Sequence, residues 1–523
     1  MKRCPTCNRV EPDETLNFCR ADGAPLVAAA ATETESATMA LPGSRPSQEI
    51  NTTGRLADAP SIAVLPFVNM SADTENEYFC DGLAEELLNA LAKIDDLKVA
   101  ARTSAFSFKG KNTNVSEIGN ALNVKTVLEG SVRKSGNRLR ITAQLVNAAD
   151  GYHLWSERYD REMKDIFDVQ DEITLAVVAA LKVKLLGSVP QIEPPTHHTG
   201  AYERYLKGRS LLYQRGLSIP KAIECFKQAV ALDPEYAQAW AGLADGYTTS
   251  GYSGYQRATE VMPKALEAAR RSLELDPNLA ESHNAFACAT LLWDLDFSLA
   301  EQEFRTALEL NPTYPQAVAW YGLFLLQWIS GREEEARAEM LRLLEVDPLS
   351  GYANVIFGFA GVSSGRISEA VEHGRRGVEL DPNSYLAHWS LAVSLECDAQ
   401  YEEAAAVAER ALTISGRHSW ALTTLVSIYA GWNKPDNARD VYRELEARSA
   451  RDYIQPSMLA AAAAAVGEID RAITFAQQAL EDRDPLFVML ARTWPAYRQL
   501  RLDSRFEEIV SRLALPGWSP AIR

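Results

Sequence analysis

An alanine recurs along this chain at a nearly fixed interval. Ala222, Ala265, Ala300, Ala336, Ala370, Ala404, Ala438 and Ala472 fall in register, with steps of 43, 35, 36, 34, 34, 34 and 34 residues. Twelve residues after the first five stands a proline, at Pro234, Pro277, Pro312, Pro348 and Pro382, in segments such as ALDP, ELDP and ELNP. A small side chain is needed where two helices of a hairpin cross closely, and Ala also has the best helix propensity. Asp-Pro cannot continue a helix, so it ends one hairpin before the next begins. Large apolar residues such as Trp240, Leu243, Tyr247 and Phe304 fill the remaining contacts. A single hairpin cannot bury its apolar face, whereas a stack of neighbours can.

A period near 34 with Ala and Pro at fixed offsets resembles the tetratricopeptide repeat. The resemblance implies an all-α solenoid of about eight repeats over 201–484, with 485–523 as C-terminal capping helices and tail. It also implies that the repeats bind other proteins or peptides. In that family the first helix of each repeat lines the concave face. With the alignment alanines as position 20, its groove positions fall on Tyr321, Trp328, Tyr352, Phe359, Trp389 and Trp420. Such an apolar stripe needs a cover, so these six are the expected partner-binding residues. The nine-residue excess of the second repeat coincides with Ser250-Gly251-Tyr252-Ser253-Gly254-Tyr255, which reads as an inserted surface loop.

Residues 61–186 follow another pattern. Ser61–Phe67 reads as a short buried strand, 78–93 as an amphipathic helix through Leu83, Leu87, Leu88 and Leu91, and Leu97–Ala100 as a second strand. A helix over 116–123 is expected to open on Ser116. Val127–Val132, the turn Ser135-Gly136-Asn137 and the alternating Arg138–Leu145 predict a hairpin, with Tyr152–Tyr159 as a further strand. A last helix, about Val169–Leu186, runs into a Pro-rich hinge at 187–200. The stretches SIAVLPF, YFCDGLAEELLNAL, VLEGSVRKSGNRLRITAQL and HLWSERYD resemble the TolB-amino-terminal-like domain, which implies an accessory module of bacterial signalling. Trp155 of the last stretch is expected in the core. Arg133, Lys134, Arg138 and Arg140 cluster on one hairpin and would either cradle a phosphate or nucleotide or form a solvated charged hairpin.

At the amino terminus Cys4-Pro5-Thr6-Cys7 sets two thiolates two residues apart, a spacing that grips Zn²⁺, and Cys19 follows. Residues 1–27 resemble a zinc-ribbon-like knuckle in which Asp22 stands where a fourth Cys is usual. The expected structural zinc is therefore held by Cys4, Cys7, Cys19 and Asp22. A redox pair or an unfolded tail are the alternatives. Residues 28–60, rich in Ala, Ser, Thr and Pro, read as a flexible linker.

The expected fold class is thus multidomain: a small zinc-ribbon-like knuckle, an α/β domain with a mixed sheet, and an all-α solenoid. Charge narrows the function. Of the net −17, residues 1–60 carry −2 and 61–185 carry −3, so −12 falls on the remainder. An acidic array repels phosphate, which argues against bulk nucleic-acid binding. No run of roughly 18 apolar residues suggests a membrane span, and Met1–Pro5 opens no secretory signal, so a cytoplasmic protein is expected. The phosphate loop, HExxH, G-x-S-x-G and kinase motifs are missing, and the acid pairs Glu85-Glu86 and Glu402-Glu403 read as solvated helix faces. The expectation is a non-catalytic adaptor. The alternative is a regulatory or ligand-sensing subunit, with a nucleotide or phosphate ligand in the α/β domain, of a separately encoded adenylate cyclase, kinase or transcription regulator.

Overall fold

A computed structural model describes residues 60–71, 73, 76–92, 94, 97–181 and 196–517, together with three two-residue strands near the amino terminus. The chain divides into two compact units, Met1–Ala57 and Asp58–Arg523. In the first, β1 (Lys2–Arg3) lies between β2 (Val10–Glu11) and β3 (Val27–Ala28), antiparallel to both. The expected zinc ligands Cys4, Cys7, Cys19 and Asp22 lie outside the described residues, as does most of the expected linker.

The second unit opens with a small mixed sheet. β4 (Ser61–Val64) runs parallel to β6 (Lys98–Val99) and to β7 (Thr126–Ser135). β7, β8 (Arg138–Asn147) and β9 (His153–Glu162) form an antiparallel meander, and β5 (Val68–Asn69) extends beside β7. β4 is buried throughout, as its continuous apolar run requires, whereas β8 alternates buried and exposed residues along its first half. Helix α1 (Glu77–Ala92) covers the sheet with Phe79, Leu83, Leu87 and Leu91. A short helix α2 (Arg102–Phe106) follows, then α3 (Val115–Leu122). α3 opens one position earlier than expected. Asn114, not Ser116, caps it by accepting from Glu117 N at 2.8 Å, because Asn114 stands three residues before an otherwise unpaired amide. Helix α4 (Ile166–Leu181) closes this part.

Among the described residues the array is eight helical hairpins. They are α5 (Thr199–Gln214) with α6 (Ile219–Leu232), α7 (Ala237–Tyr252) with α8 (Ala258–Leu275), α9 (Ala280–Ala289) with α10 (Phe297–Leu310), and α11 (Pro315–Ala319) with α12 (Glu333–Val346). Then come α13 (Gly351–Ser363) with α14 (Ile367–Leu380), α15 (Tyr385–Cys397) with α16 (Tyr401–Ser415), α17 (Ser419–Gly431) with α18 (Pro435–Ser449), and α19 (Pro456–Ala465) with α20 (Ile469–Glu481). α9 and α11 widen into π-helix over Thr290–Asp294 and Trp320–Ile329. All eight alignment alanines lie on the second helix of a hairpin, 0–1% exposed, as a close crossing demands.

The inserted segment is not a surface loop. α7 continues through Tyr252, and Ser250, Tyr252 and Ser253 are buried. The segment has partners from the far end of the array. Gln455 Nε2 donates to the Tyr252 carbonyl at 3.0 Å, and His418 Nε2 donates to the Ser253 carbonyl at 3.0 Å. The second hairpin is therefore bonded to the seventh and to the loop before the eighth, and the array curls onto itself. After α20, α21 (Pro485–Leu490) is buried throughout, and α22 (Ser504–Ser511) packs on α20.

The α/β part and the array share one core. Leu83 and Leu87 of α1, Ile173 and Val177 of α4, and Tyr202, Leu206 and Phe226 of the first hairpin belong to a single buried cluster. Within it Phe226 lies between two glycines. A Cβ built on Gly208 would meet its ring at 2.7 Å, and one built on Gly242 at 2.5 Å. Gly242→Ala sets two effects against each other. The helix gains about 1 kcal/mol from propensity, while overpacking typically costs about 1–3 kcal/mol. With a fully buried aromatic ring as the obstacle, overpacking wins. Urea unfolding of the full chain is expected to show a net loss of about 1 kcal/mol or more; a variant as stable as the parent would contradict this packing.

Candidate functional site

The six residues expected to line a partner groove are placed in the interior. Trp328, Phe359, Trp389 and Trp420 are 3–4% exposed, Tyr321 is 6% exposed and Tyr352 is half-buried. Successive inner helices are tied through them. The Trp328 indole donates to Ser363 Oγ at 2.7 Å, Trp389 to Thr424 Oγ1 at 2.8 Å and Trp420 to Gln455 Oε1 at 2.8 Å, each reaching one repeat ahead. The stripe is covered by the chain itself. Trp494, in the segment between α21 and α22, has its ring 6.2 Å from Trp328, 5.9 Å from Phe359 and 5.6 Å from Trp389. Tyr252 stacks on Trp420 at 6.1 Å. Arg492 anchors the plug by donating to the Ile329 carbonyl at 3.1 Å. Tyr321 belongs to another neighbourhood, where its hydroxyl meets Arg305 and Glu301 on α10. The partner-groove expectation is thus corrected for Trp328, Phe359, Trp389 and Trp420. They are core, because the curled array and its carboxyl-terminal segment leave that part of the inner wall no solvent face.

The basic hairpin is engaged elsewhere too. Lys134 pairs with Glu203 of α5, Arg133 Nε donates to the Met70 carbonyl, and Arg140 pairs with Asp160 at 2.6 Å. Trp155 is half-buried against the sheet core. Three of the four cations of the expected phosphate cradle therefore already have partners.

The charged chemistry gathers where α1 and α2 meet the array. Glu85, expected on a solvated face, is buried. Its carboxylate accepts from Arg102 Nε at 2.9 Å, Arg209 Nη2 at 2.8 Å and the Tyr213 hydroxyl at 2.9 Å. Burial alone would push this carboxyl up; the two guanidiniums and the hydrogen bonds together outweigh it and hold Glu85 below the usual range. A second anchor lies at α2. Its N-cap position is Ala101, which offers no side-chain oxygen. Asp347, at the end of α12, supplies one, accepting from Ser104 N at 2.8 Å, Ser104 Oγ at 2.6 Å and Thr103 Oγ1. Ser104 Oγ in turn accepts from Leu349 N at 2.8 Å. Burial pushes the Asp347 carboxyl up, and its hydrogen bonds offset this only in part.

Between the two anchors is a cavity of about 500 Å³. α1 and α2 form one wall and the starts of the array's inner helices the other, with Arg209, Arg215, Tyr314 and Tyr352 among the lining residues. Tyr352 is thus the one residue of the expected stripe at this recess. Sequence reasoning missed Glu85, Arg209, Arg215 and Asp347. A signal existed for Glu85, which shares an edge of α1 with Leu88 and Ala92 at three- and seven-residue spacing, the margin of the apolar stripe. For Asp347, 243 residues from Ser104, there was none.

Two family models match. Residues 57–175 match that of the HilA/YgeH-like transcriptional regulator, second domain, where the sequence resemblance had named the TolB-amino-terminal-like domain; residues 205–248 match the tetratricopeptide repeat. The chain is 42% identical over 198 residues to a "Putative adenylate cyclase 3" of Rhizobium meliloti (strain 1021), covering 36% of this chain and 33% of that protein. It is 34% identical over 101 residues to a "Small glutamine-rich tetratricopeptide repeat-containing protein 2" of Mycosarcoma maydis, covering 19% and 28%. The chain thus spans a third or less of these relatives. The solved structure of Pseudomonas aeruginosa pilF is similar over 40% of this chain and 93% of that one, with a TM-score of 0.30 and 22% identity.

Replacing Glu85 by Gln leaves Arg209 buried, and Arg102 half-buried, without a carboxylate. At pH 7 this is expected to cost about 3–5 kcal/mol of unfolding free energy. Because the folded carboxyl is held low, its contribution is present above the unfolded glutamate pKa of about 4.3 and is lost as pH falls through the lower folded value. The gap between parent and Glu85→Gln in thermal melts should therefore narrow only below about pH 4.3. A gap under about 1 kcal/mol at pH 7 would contradict a buried ion cluster.

Proposed function

We propose that the chain is a non-catalytic adaptor in bacterial signalling or regulation, working in the cytoplasm and binding other proteins through its repeats. The observation that carries this reading is the tetratricopeptide array itself, fixed to the α/β part by a shared core and two polar anchors. With the aromatic stripe covered, partners meet the outer helices. There cross-repeat pairs form a belt: Arg337 with Glu369, Arg375 with Glu403, and Arg471 with Glu446, while Arg417 of the turn before α17 pairs with Glu444 of α18. Residues 186–523 carry −12, so the array as a whole suits a basic partner and not nucleic acid. Among the described residues no helix is long and apolar enough to cross a membrane.

A second reading is supported by the similarity to the adenylate cyclase-named protein and to the HilA/YgeH-like domain. In it, the chain is a regulatory subunit of a separately encoded cyclase, kinase or transcription regulator. Both readings expect the purified full-length chain, given ATP and Mg²⁺, to show no hydrolysis, phosphoryl transfer or cyclisation above blank. Cross-linking in native lysate is expected to join the outer helices α12, α14, α16 and α18 to a partner protein. Turnover that persists to homogeneity would overturn the non-catalytic reading, and cross-links confined to the α/β part would overturn binding through the repeats.

A further inference from the structure

We infer that the cavity between the α/β part and the array is a binding site for a small organic anion: a planar ring bearing amino or hydroxyl groups and one carboxylate or phosphate, with Arg215 as its receptor. Four observations carry this, and none depends on the adaptor reading.

The first is charge. Arg102 and Arg209 share a single carboxylate, that of Glu85, so their cluster itself keeps one positive charge. Arg215 also lines the cavity, and among the described residues no carboxylate pairs with it. Its guanidinium has one hydrogen bond, to Thr249 Oγ1 at 3.2 Å, and lies 6.0 Å from the centre of the Tyr352 ring. Four of its five N–H donors remain for a ligand, in the fork that suits a carboxylate or phosphate.

The second is the backbone. Arg215 has φ 58° and ψ −166°, a region that essentially only glycine populates. A glycine follows immediately, at Gly216, yet the strained position itself carries the long cationic side chain. A long cationic side chain at a position where stability alone would favour glycine points to a use for that side chain.

The third is unmet hydrogen bonding in the wall. Arg209 and Tyr314, 9% and 8% exposed, both line the cavity, and Arg209 Nε and the Tyr314 hydroxyl have no partner. Buried donors left in this state are uncommon and call for a partner.

The fourth is size and lining. About 500 Å³ far exceeds a bare ion and falls in the range of sites for small organic ligands. Phe106, Tyr213, Tyr314 and Tyr352 offer ring faces and edges. Glu281, half-buried in the wall and without an ion pair among the described residues, is an acceptor for an amino or hydroxyl group on the ligand.

The test uses the full-length chain and two probes that separate the sources of the anion: adenosine 5′-monophosphate for phosphate and 4-aminobenzoate for carboxylate. Adenosine and inorganic phosphate serve as the half-ligands. At least one of the two ring anions is expected to raise the melting temperature and bind by calorimetry, at least tenfold more tightly than either half-ligand. Arg215→Gly removes the receptor and relieves the backbone, so it should melt no lower than the parent while weakening that probe at least tenfold. Arg215→Lys should fall between the two. Arg138→Gln, on the exposed hairpin, should bind as the parent does. The inference is overturned if neither ring anion binds at millimolar concentration, if binding survives Arg215→Gly, or if Arg138→Gln abolishes it.

Discussion

The inner helices of this protein can lie close to their partners because the residue at each crossing is alanine. Eight times the same methyl group is buried to within 1% at that position, and the rest of the array follows from the close approach it permits. Tightly crossed hairpins bring the inner helices near one another. α13, α15, α17 and α19 are buried almost throughout their length, including faces that a peptide groove would leave open. A helix that is apolar on all sides must be covered on all sides. Here the cover comes from within the chain: the end of α7 on one side and Trp494 on the other.

That closure displaces the polar chemistry to the rim where α1 and α2 dock. Two carboxylates hold this rim, and they respond to acid in opposite senses. Glu85, kept low by two arginines, contributes most when ionised. Asp347, kept high by burial, favours the folded state more when protonated. The junction therefore combines an ion cluster that weakens in acid with a capping carboxyl that does not. Between them stands Arg215, without the carboxylate partner that Arg102 and Arg209 share.

Much of the architecture was legible in the sequence, because its signals are local and periodic. The alanine and proline register marked the hairpins, and alternation in Arg138–Leu145 marked the meander strand. What the sequence concealed was long-range. The segment Ser250–Tyr255 carries the small residues of a loop, but its environment is set by Gln455 and His418, more than 160 residues away. The register places the aromatic positions on the inner helices, but nothing periodic marks what covers them. Trp320–Ile329, WYGLFLLQWI, carries one strongly polar side chain, and that residue, Gln327, bonds to the Ala360 carbonyl. A groove open to water would show more polar positions, so the composition of that helix was the available warning. The Glu85 cluster was partly legible from its helix position; Asp347 and Arg215 were not, since capping across 243 residues and a strained loop leave no periodic trace.

The array's aromatic inner wall is already filled by its own carboxyl-terminal segment. A double-mutant cycle on Trp389→Ala and Trp494→Ala in the full-length chain, read by urea unfolding, tests it most directly. Rings in contact should be non-additive, with an interaction term between about 0.5 and 3 kcal/mol. If the two losses add within about 0.3 kcal/mol, Trp494 does not sit against Trp389 and the groove is open.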